Sequence, residues 1–153
     1  MKLSIGDKAP EFTLADPDGN RIGVRDFKGK KNLVVYFYPK DESYGCTKEA
    51  CSFRDSYEDF REAGAEVIGI STDDAESHRS FASHHRLPVI LLSDPGGTVA
   101  ELYGVEKSLG ILPGRITFVI DKEGIIRGIY SSQINYNKHI REALQVLKQM
   151  DRG

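Results

Sequence analysis

Six consecutive residues, Leu33-Val34-Val35-Tyr36-Phe37-Tyr38, carry no charge, and Pro39 closes the run. A strand with one wet face alternates apolar and polar residues. A strand without alternation is buried on both faces, the situation of a central strand in a sheet covered on both sides. A second such run, Glu66-Val67-Ile68-Gly69-Ile70-Ser71, lies downstream. Between the two, from Cys46 to about Ala63, the apolar residues Ala50, Phe53, Tyr57 and Phe60 recur at spacings of three and four, which predicts a helix stopped near Gly64. Buried strand, helix, buried strand is the pattern of parallel strands joined by a crossover.

The remaining segments extend this arrangement. Phe12 to Ala15 and Arg21 to Val24 flank Pro17-Asp18-Gly19 and read as a hairpin. Thr72 or Asp73 can cap a helix running to about Arg86, and Val89 to Leu92 is a short strand. Asp94-Pro95-Gly96-Gly97 is a turn and Thr98 to Tyr103 a short helix. Arg115 to Asp121 is a strand that Lys122-Glu123-Gly124 turns into Ile125 to Tyr130, and a last helix spans about Asn135 to Met150. This order is that of an α/β, thioredoxin-like fold with an N-terminal β-hairpin extension, its central mixed sheet covered by helices on both faces. Working residues in such sheets lie beyond the carboxyl ends of the strands, where Pro39 to Cys46 falls.

Composition excludes several roles. The chain has 153 residues, the length of one domain spanning 1–153, with 39% apolar and 29% charged residues. A net charge of −2 favours neither nucleic acid nor an anionic membrane. No apolar run reaches membrane-spanning length, and no secretory signal opens the sequence. The basic cluster Lys28-Gly29-Lys30-Lys31 is expected to be a solvated turn, and Gly96-Gly97 lacks the Lys-Ser/Thr of a phosphate loop. His84 and His85 are adjacent, so on a helix they point about 100° apart and make a poor metal pair. All four histidines, with His78 and His139, are read as structural or exposed, and no metal site is expected.

Cys46 and Cys51 are the only cysteines. A cross-link closing so short a loop would stabilise little, and two thiols fall short of a four-ligand zinc site. Cys46 falls where the predicted helix begins. The unpaired N–H groups and partial positive charge of a helix N-terminus favour a thiolate, and a second thiol nearby can capture what the first becomes. With two cysteines and no targeting signal, a reducing cytoplasm is the expected compartment.

The stretch Tyr36-Phe37-Tyr38-Pro39-Lys40-Asp41-Glu42-Ser43-Tyr44-Gly45-Cys46-Thr47-Lys48-Glu49-Ala50-Cys51 resembles the active-site segment of peroxiredoxins, and within them the Q-type or bacterioferritin comigratory subfamily. The signature of Pro, three residues, Thr or Ser, two residues and Cys falls on Pro39, Ser43 and Cys46. The Q type often carries a second cysteine at the position of Cys51. Arg115, opening a late strand, matches the family's arginine, and Gly6 to Leu14 resembles its beginning. Tyr44 stands where the Q type usually has Pro, and Ser43 replaces the commoner Thr.

The resemblance implies a thiol peroxidase that reduces hydrogen peroxide and organic hydroperoxides. Cys46 is then the nucleophile that becomes a sulfenic acid, and Cys51 closes an intramolecular disulfide. Ser43, Arg115 and Pro39 complete the catalytic set, with Arg115 and the helix terminus lowering the Cys46 pKa. Gly45, Tyr44 and Glu49 are assigned to substrate binding, with the Tyr44 ring covering or narrowing the pocket. Glu49 either orients Arg115 or merely supports the first helical turn. The implied partners are the peroxide and a thioredoxin- or glutaredoxin-like reductant, with no cofactor, and the chain acts as a monomer. A thiol–disulfide oxidoreductase acting on proteins is the alternative, disfavoured because the usual two-residue gap between redox cysteines is absent.

Overall fold

The computed structural model describes residues 3–105, 107–108, 112–113, 115–132 and 135–151. The first apolar run forms β3 (Asn32–Phe37) and the second forms β4 (Ala65–Ser71), with every residue of both buried. They pair in parallel, with Val34 opposite Val67 and Phe37 opposite Ile70. β5 (Ile90–Ser93) adds a third parallel strand beside β4. On the other side of β3 lies β8 (Ile116–Ile120), antiparallel, followed by its hairpin partner β9 (Ile126–Ser131). The N-terminal hairpin, β1 (Leu14–Ala15) and β2 (Arg21–Ile22), joins the far edge through Ala15 opposite Ser93. The spatial order is β2-β1-β5-β4-β3-β8-β9, a mixed seven-stranded sheet. A separate two-stranded ribbon pairs β6 (Lys107–Ser108) with β7 (Leu112–Pro113). The sequence shows no alternation there, so this ribbon was not anticipated.

Along β3 the side chains alternate between two cores, as strand geometry requires. Leu33, Val35 and Phe37 enter one core with Phe12, Val24, Leu92, Tyr103 and Phe118. Val34, Tyr36 and Tyr38 enter the other with Cys46, Phe53, Phe60, Phe81 and Leu147. The second core is roofed by α1 (Tyr44–Asp55), α2 (Tyr57–Glu62), α3 (Ala75–His85) and α5 (Tyr136–Asp151). The first is covered by the short α4 (Thr98–Leu102) and the N-terminal hairpin region. Helices therefore cover both faces, as expected, but four of the five lie on one side.

Several boundaries differ from the sequence reading. The expected helix from Cys46 to Ala63 is two helices, α1 and α2, broken at Ser56. The apolar spacing continues across the break, so periodicity alone could not reveal it. α3 is capped by Asp74, whose carboxylate accepts from the Ser77 N–H at 2.9 Å, and not by Thr72 or Asp73. Asp73 is used elsewhere, accepting from the Ser71 hydroxyl and the Asp41 N–H. Val24 leaves the hairpin to begin a 3-10 turn, Val24–Phe27. Lys31 pairs with Glu66 at 3.7 Å at the surface, as expected of a solvated turn.

Gly69 sits mid-strand beneath the stacked Tyr36–Phe53 pair, whose ring centroids are 4.5 Å apart. A Cβ at Gly69 would stand 2.8 Å from the Tyr36 ring and 3.0 Å from Leu91. Gly69→Ala should therefore lower stability by about 1–3 kcal/mol through overpacking, read as a lower urea midpoint with an unchanged m-value.

Candidate active site

The chain leaves β3 through Tyr38 and Pro39 and enters α1 through a five-residue loop. Ser43 is the helix N-cap, with extended backbone (φ −67°, ψ 154°). The helix thus begins at Tyr44, and Cys46 is its third residue and not its first. Ser43 does not cap with its side chain. Its hydroxyl donates to the Lys40 carbonyl at 2.9 Å. The N–H groups of Tyr44, Gly45 and Cys46 are thus first-turn donors without a side-chain cap.

Arg115 immediately precedes β8, and the pairing of Phe37 with Ile116 sets it beside the Pro39 end of β3. Its Nη1 donates to Cys46 Sγ at 3.4 Å and to Glu49 Oε1 at 2.8 Å. Glu49 lies one turn past Cys46 on α1, so one guanidinium joins two residues of the same helix face. All three side chains are buried, with Cys46 only 1% exposed. The Arg115 guanidinium lies 5.1 Å from the centre of the Tyr136 ring on α5. Gly45 accommodates both groups, since a Cβ there would stand 2.7 Å from the Tyr136 hydroxyl and 2.9 Å from Arg115 Nη2.

Burial pushes the Glu49 carboxyl up to about 7, against the downward pull of Arg115. Its second oxygen, Oε2, has no hydrogen-bond partner among the described residues, so that oxygen suits a proton. His139 Nδ1 lies 3.5 Å from it. That nitrogen accepts from the Thr117 hydroxyl at 2.8 Å, while Nε2 donates to the Ser132 carbonyl at 2.8 Å. Burial and the nearby Arg115 hold His139 down to about 4, so it is neutral near pH 7. The Cys46 thiol does not follow the sequence expectation. Burial raises it above its ordinary value, outweighing the lowering by Arg115, Ser43 and the Lys40 backbone.

The other anticipated residues fall as follows. Pro39 is half-buried beside the loop. Cys51 is half-buried on α1, and both cysteines are free thiols. Tyr44 is 76% exposed and lies under the Lys48 ammonium, so its ring does not cover the site. It occupies the first helical position, where the proline usual in Q-type relatives also fits. Glu49 is fully buried and faces Arg115 and His139, not an entering ligand. Arg54 pairs with Asp55 and donates to the His85 carbonyl.

Sequence reasoning missed a buried anchor beneath the loop. Asp41 accepts from the Tyr38 hydroxyl at 2.5 Å and from Ser77 at 2.9 Å, and sits 2.7 Å from His78 Nδ1. The other His78 nitrogen faces the Leu92 carbonyl at 3.0 Å. Tyr136 and Thr117 were also missed. Tyr136 starts α5 and Thr117 lies on β8; neither stands near Cys46 in sequence. The adjacent His84 and His85 do not diverge as expected: both converge on the Glu42 carboxylate.

A family model described as the AhpC/TSA family matches residues 5–129. A putative chloroplastic peroxiredoxin Q of Oryza sativa subsp. indica is 53% identical over 150 residues, covering 97% of this chain and 69% of that protein. The chloroplastic peroxiredoxin Q of Arabidopsis thaliana is 53% identical over 148 residues, covering 96% and 68%. Among solved structures, the peroxidoxin BcpB of Mycobacterium tuberculosis superposes with a TM-score of 0.89 at 37% identity, over 97% of this chain and 98% of that one. Peroxiredoxin Q of Xanthomonas campestris gives a TM-score of 0.82 at 26% identity, over 90% of each chain. The chloroplastic plant relatives overturn the expected cytoplasmic compartment. Reduced thiols indicate only a reducing environment, and more than one compartment provides that.

Glu49 and His139 give a pH signature of opposite signs. Glu49 is raised to about 7 in the fold, so its contribution is present at low pH and is lost as pH rises through 7. His139 is depressed to about 4, so its contribution is present above its unfolded pKa of about 6.5 and is lost as pH falls toward 4. Between about pH 4.5 and 6.5 the two slopes oppose each other. His139→Gln should remove one of them. Relative to the wild type, the variant should then gain stability on acidification from pH 6.5 to 4.5, by about one proton's slope in urea unfolding.

Proposed function

Because this chain belongs to the peroxiredoxins, within the AhpC/TSA family and among its Q-type members, we propose how its own residues divide the work of a thiol-dependent peroxidase. The enzyme reduces peroxides by cysteine chemistry and is recycled by thioredoxin-like proteins. The observation that carries the residue assignment is the Arg115 Nη1 contact to Cys46 Sγ, 3.4 Å, in the uncapped first turn of α1.

Cys46 is the nucleophile. The thiol gives up its proton, the thiolate sulfur attacks the terminal peroxide oxygen, an S–O bond forms as O–O breaks, and the proton released from the thiol ends on the departing alkoxide or hydroxide to give alcohol or water. Cys46 is left as a sulfenic acid. Burial raises the Cys46 thiol above its ordinary value against the pull of Arg115 and Ser43, so the sulfur depends on these donors as charge develops. Charge that forms on sulfur and on the leaving oxygen then meets fixed donors: Arg115, the first-turn N–H groups, and the Ser43 hydroxyl once it turns from Lys40. Such preorganised donors stabilise the transition state more than the ground state. Glu49 positions Arg115, and Pro39 shapes the wall beside Cys46. Gly45 keeps the approach open by leaving room for Arg115 and Tyr136.

Cys51 resolves the sulfenic acid: its sulfur bonds to Cys46 Sγ and the hydroxyl leaves as water. Both residues lie on α1. On a regular helix, Cα atoms five residues apart are about 8.6 Å apart and their side chains diverge by about 140°. A disulfide needs Cα atoms within about 6.8 Å. The first turns of α1 must therefore unwind before the disulfide closes, and reduction by a thioredoxin- or glutaredoxin-like dithiol lets the helix reform. In this reading the enzyme works as a monomer and as one domain over residues 1–153. No helix among the described residues is long and apolar enough to cross a membrane.

Stopped-flow oxidation tests the assignment. Cys46→Ser should abolish peroxide consumption, whereas Cys51→Ser should complete one oxidation and stall as the sulfenic acid. Single-turnover activity retained in Cys46→Ser would sink the nucleophile assignment. Arg115→Ala should slow the first oxidation by about 10²-fold or more while Cys51→Ser leaves that step intact. For the unwinding step, amide exchange over residues 45–54 should be faster in the disulfide form than in the reduced form. Equal protection in both forms contradicts it.

A further inference from the structure

Glu42 belongs to the loop that carries Cys46, yet its carboxylate points away from the thiol toward the last turn of α3. There it meets two imidazoles. His84 Nδ1 lies 3.0 Å from Glu42 Oε2, and His85 Nε2 lies 2.8 Å from Oε1. The three donor atoms all lie within 4.8 Å of one another. Adjacent helical residues normally diverge. These converge because they use different nitrogens and because Glu42 reaches across from the loop with left-handed backbone, φ 63°. The two imidazole rings are 4.1 Å apart at their centres, and Phe81 packs edge-on against the His85 ring.

We propose that Glu42, His84 and His85 form a binding site for a divalent transition-metal ion of borderline softness, such as Zn²⁺, which tethers the active-site loop to α3. Two imidazoles and a carboxylate are a donor set that this class of ion prefers over Mg²⁺ or Ca²⁺. Ligand bonds of about 2.0–2.2 Å place neighbouring donor atoms roughly 3.3–3.6 Å apart around a tetrahedral ion. The carboxylate–imidazole spacings are already close to that, so shifts of a few tenths of an ångström replace two hydrogen bonds by coordination. On binding, the proton on each coordinating nitrogen passes by exchange with solvent to the other nitrogen of the same ring, so each neutral imidazole coordinates through a free lone pair. Glu42 and His84 are exposed while His85 is mostly covered, which leaves the remaining coordination position to water. The other group of this kind, Asp41, Asp73 and His78, differs in kind. Asp41 and His78 are buried and Asp73 is half-buried, and the carboxylates are already occupied by Tyr38, Ser71, Ser77 and the Asp41 N–H.

The test uses the full chain carrying Cys46→Ser and Cys51→Ser, so that no thiol can ligate the metal. Zn²⁺ titrated by calorimetry should bind as a single equivalent, and Mg²⁺ at the same concentration should give no binding heat. His84→Ala, His85→Ala and Glu42→Gln should each weaken zinc binding by at least about tenfold. Glu42 and His84 lie at the surface, so their variants leave both cores intact, whereas His85 also packs on Phe81. Amide exchange over residues 40–45 should slow when zinc is added. The proposal is overturned by absent zinc binding, by undiminished affinity in the histidine variants, or by exchange over residues 40–45 that zinc leaves unchanged.

Discussion

A guanidinium and a carboxylate buried together, Arg115 and Glu49 at 2.8 Å, govern the architecture around Cys46. Either charge alone in that environment would cost several kcal/mol. Each therefore requires the other, and the requirement fixes more than the pair. Glu49 rides on α1, and Arg115 rides at the start of β8. Holding them together locks the helix that bears the thiol against the strand two places along from β4. The sulfur lies within reach of the same Nη1 because Cys46 and Glu49 are three residues apart on one helix face. One contact thus combines a packing constraint with the electrostatics of the nucleophile.

The surroundings suit that arrangement. Thr117 and Ser132 hold His139 in a neutral tautomer, so no second positive charge opposes Arg115 at neutral pH. Tyr136 covers the guanidinium, and Gly45 removes the one Cβ that would separate helix, arginine and ring. The loop before α1 is held at Asp41 by Tyr38, Ser77 and His78 on its carboxylate and by its own N–H donating to Asp73, while Glu42, the next residue, reaches outward to α3. The same short segment is therefore anchored firmly on its buried side and engaged on the other by the exposed His84 and the partly covered His85. That contrast suits the proposed cycle, in which the helix start is ordered during attack and opens afterwards.

Reading the site from the sequence picks out residues where chemistry and local spacing coincide. Cys46, Cys51, Ser43 and Pro39 form one contiguous segment, and Arg115 was reached through its family pattern. It failed where a residue's environment is built from distant segments. The Cys46 thiol was expected to be lowered, because a helix terminus and an arginine were visible in the chain. The depth of burial, which raises it, was not visible. Tyr44 was expected over the pocket, but it occupies the solvent face of the first helical turn. His84 and His85 were expected to diverge. The carboxylate that draws them together comes from a loop more than forty residues earlier.

The central strands and the two-cysteine motif follow from the sequence itself, because a six-residue run without polar alternation, rich in β-branched and aromatic residues and closed by proline, reads as a strand covered on both faces. The three- and four-residue spacing of Ala50, Phe53, Tyr57 and Phe60 likewise fixes which side of the following helical segment is buried. Local patterns of this kind are set by backbone geometry over a few residues. Only the tertiary structure decided that four helices share one face, that Arg115 meets Glu49 and Cys46, and that Asp41 is buried against His78. Each of these depends on strand register: one residue of slip between β3 and β8 would turn the side chains of β8 to the opposite face and displace the start of that strand, where Arg115 reaches the thiol. The physical reason is range, since apolar periodicity acts between neighbours in sequence while buried charge must find its partner in space.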